Sequence, residues 1–544
     1  MTPPTVAFHG AAKTVTGSCF EIAFGRHRLL VDCGLFQGSR SLEALNHQPF
    51  SFDPSKLDAV LLTHAHLDHS GLLPRLGKEG FRGPIFCTAA TADLLGEMLP
   101  DAARIQEQDT ERRNRRADRA DEPPLEPLYT SLDAERTLAQ LKPIELDTLI
   151  EPVHGLRSRF WNAGHILGSA SIEVIAGGVR MLFSGDLGPN HKSFQLDPDA
   201  PHAVDHVICE STYGDRERED VTIEQRRRML EVEVKLALAR GGNLVVPVFA
   251  LERTQELLLD LAQLIDGGRI GHAHVFIDSP LASRATDVFR RHSRELEDIG
   301  GDRVFDHPSF HFTESVEASM RINSLSGAII LSASGMCEAG RIRHHLRFNL
   351  PRPDSTILFV GFQAQGTLGR TLLDGAKRVR ISGRDVAVRA QIRRLDSYSA
   401  HADRGELLAW LKARQPIQGS LFLTHGEQQA ITALKQAIET DLPSVIAPEI
   451  GEIYELPAGA PARRLATGRI ELRGVIDRDW QNDYADFAVN LKRQLQSIAS
   501  AEKRAEALSL MRRVLDDYAA DRKRRSDRDS RANARGAKAP GLRG

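Results

Sequence analysis

The stretch LLTHAHLDHSG (61–71) constrains this chain more than any other, because an apolar run breaks directly into three histidines and an aspartate within six residues. A short apolar run closed by polar residues reads as a buried strand ending at a loop. Two readings of that loop are open, a solvated polar turn or a metal site. A loop at a strand end can aim His64 and His66, two residues apart, at one ion, and Asp68 and His69 follow closely enough to serve a second. Zinc takes histidine nitrogen at ~2.0–2.1 Å and carboxylate oxygen at a similar distance, and catalytic sites leave one position for water. Four ligands cannot fill two such shells, so the metal reading requires distant partners.

Those partners stand at other strand ends. NAGHILGSASIEV (162–174) offers His165 between small residues, FSGDLG (183–188) offers Asp186, and FLTHGEQ (422–428) offers His425. Asp186, with two oxygens, is suited to bridge two ions. A lone histidine after a strand is more often an ordinary surface or core residue; together these favour the metal site.

The rest of the chain sets the frame. At 544 residues it exceeds the size at which single cores stop growing, so two or three domains are expected. No apolar run approaches the ~20 residues of a membrane span, and the start MTPPTVAFHGAAKTVTG lacks a basic region followed by an apolar one, so a cytoplasmic protein with no membrane contact is expected. The five cysteines are scattered and form no C-x-x-C pair, which favours buried free thiols over metal ligands. The tail 521–544 carries nine Arg or Lys against three Asp within a chain of net charge −2. The body is therefore acidic, and any nucleic-acid contact must be a local cleft together with this tail.

Strand-like runs dominate the first 210 residues: RLLVDCG, DAVLLT, GPIFCT, VRMLFSGD and HVICE. From about 222 helices and strands alternate, which argues a parallel sheet with flanking helices. After about 457 Phe487, Leu491, Leu495 and Ile498, and then Leu508, Met511, Leu515 and Tyr518, fall at helical spacing, as a packing face or a homodimer contact. The arginine-rich end beyond them is expected to be disordered.

The order LLVDCG, HAHLDHSG, AGHILGSASIEV, FSGDLG resembles the metallo-β-lactamase fold of metallohydrolases. CESTYGDR (209–216), SYSAHADR (397–404) and LTHGEQ (423–428) resemble motifs A, B and C of the β-CASP nucleases, the branch that contains the mRNA 3′-end cleavage factor and its bacterial and archaeal relatives. The resemblance spans roughly residues 6 to 456. It implies an α/β protein, a metallo-β-lactamase αββα sandwich with an inserted β-CASP domain of mainly parallel sheet and a helical C-terminal extension. The expected limits are 1–208 and 393–457 for the two parts of the sandwich, 209–392 for the insertion, 458–520 for the extension and 521–544 for the basic tail.

Carried over to this chain, the resemblance implies that His64, His66 and His165 hold one Zn2+, that Asp68, His69 and His425 hold another, and that Asp186 bridges them. Zinc follows from the ligand types, with Mn2+ as the alternative. Asp32 would orient the histidine cluster. A hydroxide between the ions would attack phosphorus, with Asp68 as its orienting or proton-accepting group. His401 would protonate the leaving 3′ oxygen and Glu210 would tune His401, giving 5′-phosphate and 3′-hydroxyl ends. The bland reading of His401 is a helix-start residue, with Ser399 or Asp403 as the cap. Histidine at motif C favours single-stranded RNA over DNA within the family. Arg341 and Arg370, beside glycine-rich turns, are candidates for phosphate contact. The alternatives are a small-molecule hydrolase of the same fold, such as a thioesterase or lactonase, a DNA-directed β-CASP nuclease, and a non-catalytic RNA-binding subunit.

Overall fold

The computed structural model describes residues 3–115, 124–190, 192–218, 221–296, 304–361, 363, 367–395, 397–442, 444–469, 472, 495 and 497–514. The chain forms two compact units, Met1–Arg478 and Asp479–Gly544.

Two sheets form the sandwich of the first unit. The eight-stranded one runs, in spatial order, Arg463–Ala466, Ile453–Glu455, Thr5–Phe8, Phe20–Phe24, His27–Val31, Ala59–Leu61, Ile85–Thr88 and Leu141–Ile144. The seven-stranded one runs Val445–Ile446, Leu421–Thr424, His206–Glu210, Val179–Phe183, Ala170–Ala176, Leu156–Asn162 and Ile150–Val153. Phe8, Phe20, Ile22 and Val31 from the first sheet meet Phe160, Ile172, Phe183, Ile208 and Phe422 from the second in one shared core. The central strands, such as His206–Glu210 and Leu421–Thr424, bury both faces and so read as near-continuous apolar runs. On the far side of the seven-stranded sheet, helices Arg404–Ala413 and Gln428–Ile438 cover Leu182, Val207, Cys209 and Leu423. Helices Leu73–Lys78 and Ala89–Asn114 cover the far side of the other sheet. The layers are therefore αββα.

A six-stranded parallel sheet is built from the segment between Glu210 and Leu421, in the order Phe310–Phe312, Val275–Ile277, Ile329–Ser332, Leu244–Pro247, Thr356–Phe359 and Gln391–Arg394. Helix Ile223–Ala239 leads into it from a Thr222 capping box, and Gly241 and Gly242 follow its end. The chain then returns: Leu421–Thr424 pairs in parallel with the strand it left, Glu210 opposite Thr424. Leu421, Phe422 and Leu423 are fully buried. Each such side chain contributes roughly 1.5–3 kcal/mol, which fixes the return strand and with it the residue that follows.

Strand Arg463–Ala466 extends the first sheet past residue 457, where a helical extension is expected from the sequence. In the second unit residues 501–514 are helical, with Leu508, Leu510 and Val514 exposed. Phe487, Leu491, Leu515, Tyr518 and the basic tail lie outside the described residues. All five cysteines are buried free thiols. No helix among the described residues is long and apolar enough to cross a membrane.

Candidate metal centre

Five strand ends of the sandwich open onto one point. Val31 ends before Asp32, Leu61 before Thr63 and His64, Asn162 before His165, Phe183 before Asp186 and Thr424 before His425. Asp32 (φ +62°) and His425 (φ +48°) sit in the left-handed region, which costs a non-glycine residue energy and clusters at functional sites. Gly188, in FSGDLG, has no room for a side chain: a Cβ there would lie 1.8 Å from the Gly164 carbonyl oxygen.

The seven expected ligands converge as two sets. His64 Nε2 and His165 Nε2 each lie 3.2 Å from His66 Nδ1, and 3.7 and 3.6 Å from Asp186 Oδ2. Opposite, His69 Nε2 lies 3.1 Å from His425 Nε2 and 3.3 Å from Asp186 Oδ1, and Asp68 Oδ2 lies 3.5 Å from His425 Nε2. A tetrahedral ion with bonds of ~2.0–2.1 Å sets its ligands about 3.3–3.4 Å apart, the spacing both sets show. Asp186 presents one oxygen to each set, and its Oδ1 is buried without a well-formed hydrogen bond. The donor set fits a metal at each position.

The remaining ring nitrogens of His64, His69, His165 and His425 are held from behind. His69 Nδ1 is 2.7 Å from Asp32 Oδ2, and Asp32 also accepts from Ser18 Oγ and from the Thr63 N–H and hydroxyl. Thr63 Oγ1 reaches His64 Nδ1, the Ala400 carbonyl accepts from His165 Nδ1, and Thr212 Oγ1 meets His425 Nδ1. Such contacts fix ring orientation and tautomer at metal ligands. Ser18, Thr63 and Thr212 escape a sequence reading; Thr63 and Thr212 lie inside quoted motifs, but nothing in the sequence separates them from ordinary hydroxyls.

The electrostatics differ between the sets. Burial drives His64 and His165 well below the ordinary histidine pKa, and His66 down to about 4 despite Asp68 and Asp186. These rings are neutral and offer lone pairs. Burial also acts on His69 and His425, but Asp186 overcomes it, with Asp32 on His69 and Asp68 on His425, and both end above the ordinary value. Against its own burial, Asp186 is held well below the usual carboxylate range by His425 and His69.

Beside the two sets stands His401. Its Nδ1 is 3.4 Å from Glu210 Oε1 and 3.9 Å from Asp186 Oδ2, and its ring lies 4.6 Å from that of His165. Glu210 is almost fully buried and accepts from the Leu187 N–H at 2.6 Å. Asp403, not Ser399, caps the following helix, in a capping box with Glu406. Arg218 donates to the His401 carbonyl and, through its backbone N–H, to Asp403.

Three family models match the chain in sequence: the metallo-beta-lactamase superfamily over residues 13–220, the Beta-Casp domain over 254–372, and the Zn-dependent metallo-hydrolase RNA specificity domain over 385–448. A relative named ribonuclease TTHA0252, from Thermus thermophilus, is 38% identical over 432 residues, covering 78% of this chain and 94% of its own length. This chain belongs to the β-CASP ribonuclease family. A transcription termination factor FttA of Methanosarcina mazei is 30% identical over 79% of this chain and 68% of its own. An RNase J-like protein of Methanocaldococcus jannaschii is 28% identical over 77% and 92%.

Two features of this β-CASP chain have no sequence signal. Lys192 Nζ donates to the His165 carbonyl at 2.6 Å and to Glu252 Oε1 at 2.9 Å, and Glu252 Oε2 accepts from the Leu167 N–H. Lys192 and Glu252 are both buried, so a residue ahead of the insertion's helix Arg253–Asp266 braces the loop that carries His165. Arg341 turns inward, pairing with Asp278 and donating to the carbonyls of Thr313 and Glu314. Arg370 is half-exposed and pairs with Asp374.

Proposed function

We propose that this ribonuclease hydrolyses single-stranded RNA with two Zn2+ ions, one held by His64, His66 and His165, the other by Asp68, His69 and His425, with Asp186 shared. The observation that carries the reading is Asp186, whose two oxygens face two tetrahedrally spaced donor sets while His401 stands 3.9 Å away. Metal at these positions supplies Lewis acidity to a phosphodiester oxygen and brings the pKa of water towards ~7.

The chain's own residues do the rest. Glu210 holds Nδ1–H of His401, which leaves Nε2 to deliver a proton to the departing 3′ oxygen. The products carry 5′-phosphate and 3′-hydroxyl ends. Asp68, partly exposed beside His425, orients the attacking group or takes its proton. Asp32 keeps His69 in register. Arg370 remains a candidate for phosphate contact, whereas the partners of Arg341 lie within the insertion.

A time course on 5′-labelled RNA beside DNA of the same sequence tests the reading, with zinc content measured in parallel. The parent should cut RNA in preference to DNA. His401→Ala should keep its zinc and lose about 10²–10⁴-fold in turnover. Bound zinc with no RNA cleavage would overturn the proposal and favour a small-molecule hydrolase.

A further inference from the structure

Residues 370–394 carry eight Arg or Lys and two Asp in a chain whose overall net charge is −2. They build the hairpin Arg378–Ile381 and Arg384–Ala387, which turns Val379, Ile381 and Val386 inward and leaves Arg378, Arg380 and Arg384 exposed. Beside it lies a cavity of about 810 Å³ lined by Arg216, Arg370, Lys377, Arg389, Arg393 and Arg394 among others. Asp374 is the single carboxylate among the described residues of that lining, and it pairs with Arg370. Glu233 holds the Arg393 guanidinium at 2.9 Å from behind. Lys377 and Arg389 are exposed. Cations gathered around a concavity attract and position phosphates, and they carry no base preference. The volume is at the upper end of the roughly 300–1,000 Å³ of ligand pockets, enough for more than one nucleotide.

One lining residue of the cavity, Arg216, is linked to His401 through Tyr213. The Arg216 guanidinium lies 5.4 Å from the Tyr213 ring centroid, and the Tyr213 ring meets His401 edge-on at 5.9 Å. On the reading that His401 protonates the leaving 3′ oxygen, the nucleotide bearing that oxygen lies on the His401 side. Tyr213 and then Arg216 lead from His401 to the cavity. We propose that this cavity holds the phosphodiester backbone of the RNA on the 5′ side of the cut, over several nucleotides. The assignment rests on the role given to His401.

Two measurements test it, with Lys377→Glu/Arg389→Glu as the variant and Arg157→Glu, an exposed strand residue elsewhere, as the charge control. The first is binding of labelled RNA to zinc-loaded protein in a His401→Ala background. The double variant should lose about tenfold or more in affinity at low salt, with a log–log salt slope shallower by roughly 0.7 per lost phosphate contact. The control should not move. The second is cleavage by otherwise unaltered protein of RNAs with a single cuttable linkage, carrying either one or six nucleotides on its 5′ side. KM should rise for the long 5′ arm and stay level for the short one. An unchanged affinity overturns the proposal, as does an equal rise for both arms or one that follows the 3′ arm. If the parent binds RNA without cutting it, the catalytic reading fails while the binding arm still decides whether the cavity holds phosphate.

Discussion

Against burial, Asp186 and Asp32 push His69 above the ordinary histidine pKa in the metal-free protein, and Asp186 and Asp68 do the same to His425. A ligand nitrogen must be deprotonated to bind metal, so loading releases protons and tightens as pH rises towards the raised folded values, levelling off above them. Chelator competition at pH 6, 7 and 8 should show this, and a pH-independent affinity would contradict it. The same raised values work the other way on the metal-free fold. Their stabilisation is complete below the unfolded histidine pKa and fades as pH rises through the folded values, so the metal-free melting temperature should fall above about pH 6.5. Asp32→Asn removes the carboxylate behind His69 and should weaken metal binding about 10–100-fold. The candidate ligands were legible because each falls in a contiguous string at a strand end. Thr63, Thr212 and the Ala400 carbonyl were not, since a hydroxyl or carbonyl becomes informative only when the fold aims it at a ring.

The brace between Lys192 and Glu252 works at the level of elements, tying the lead-in to an inserted helix to the loop of His165. Breaking a buried pair leaves an uncompensated charge, so Glu252→Ala should cost about 3–5 kcal/mol in unfolding free energy and loosen zinc retention. Lys192→Met/Glu252→Leu should cost less than the single change, and a double-mutant cycle would show the coupling. Equal, additive losses would mean the two groups act independently. The alternation of helix and strand from 222 onwards was readable because its apolar periods are long and its caps are local, as at Thr222. The brace was not readable, because its members stand 60 positions apart with no pattern between them. The inward turn of Arg341 was equally hidden, since a glycine-rich setting says nothing of Asp278. Strand Arg463–Ala466 escaped as well: RRLA lacks alternation and three of its four residues are exposed.

At the scale of the whole chain, net positive charge gathers in residues 370–394 and in the tail beyond 520. The tail lies outside the described residues, but its composition alone gives it an electrostatic effect. Removing residues 521–544 should weaken RNA binding most at low salt, where screening is least, and leave it nearly unchanged at high salt. Identical binding isotherms at low salt would dismiss that role. The parallel pairing of Leu421–Thr424 with His206–Glu210 has a further consequence, for the order in which the protein is made. Glu210 and Asp186 leave the ribosome long before His401 and His425, and the pairing that sets them side by side needs the entire insertion to have been synthesised first. On the proposed roles of His401 and His425, a nascent chain gains cleavage activity only once most of its length exists. A chain stopped at residue 419 should bind fewer zinc ions and cleave no RNA, so that activity marks a copy whose synthesis has run past the return strand.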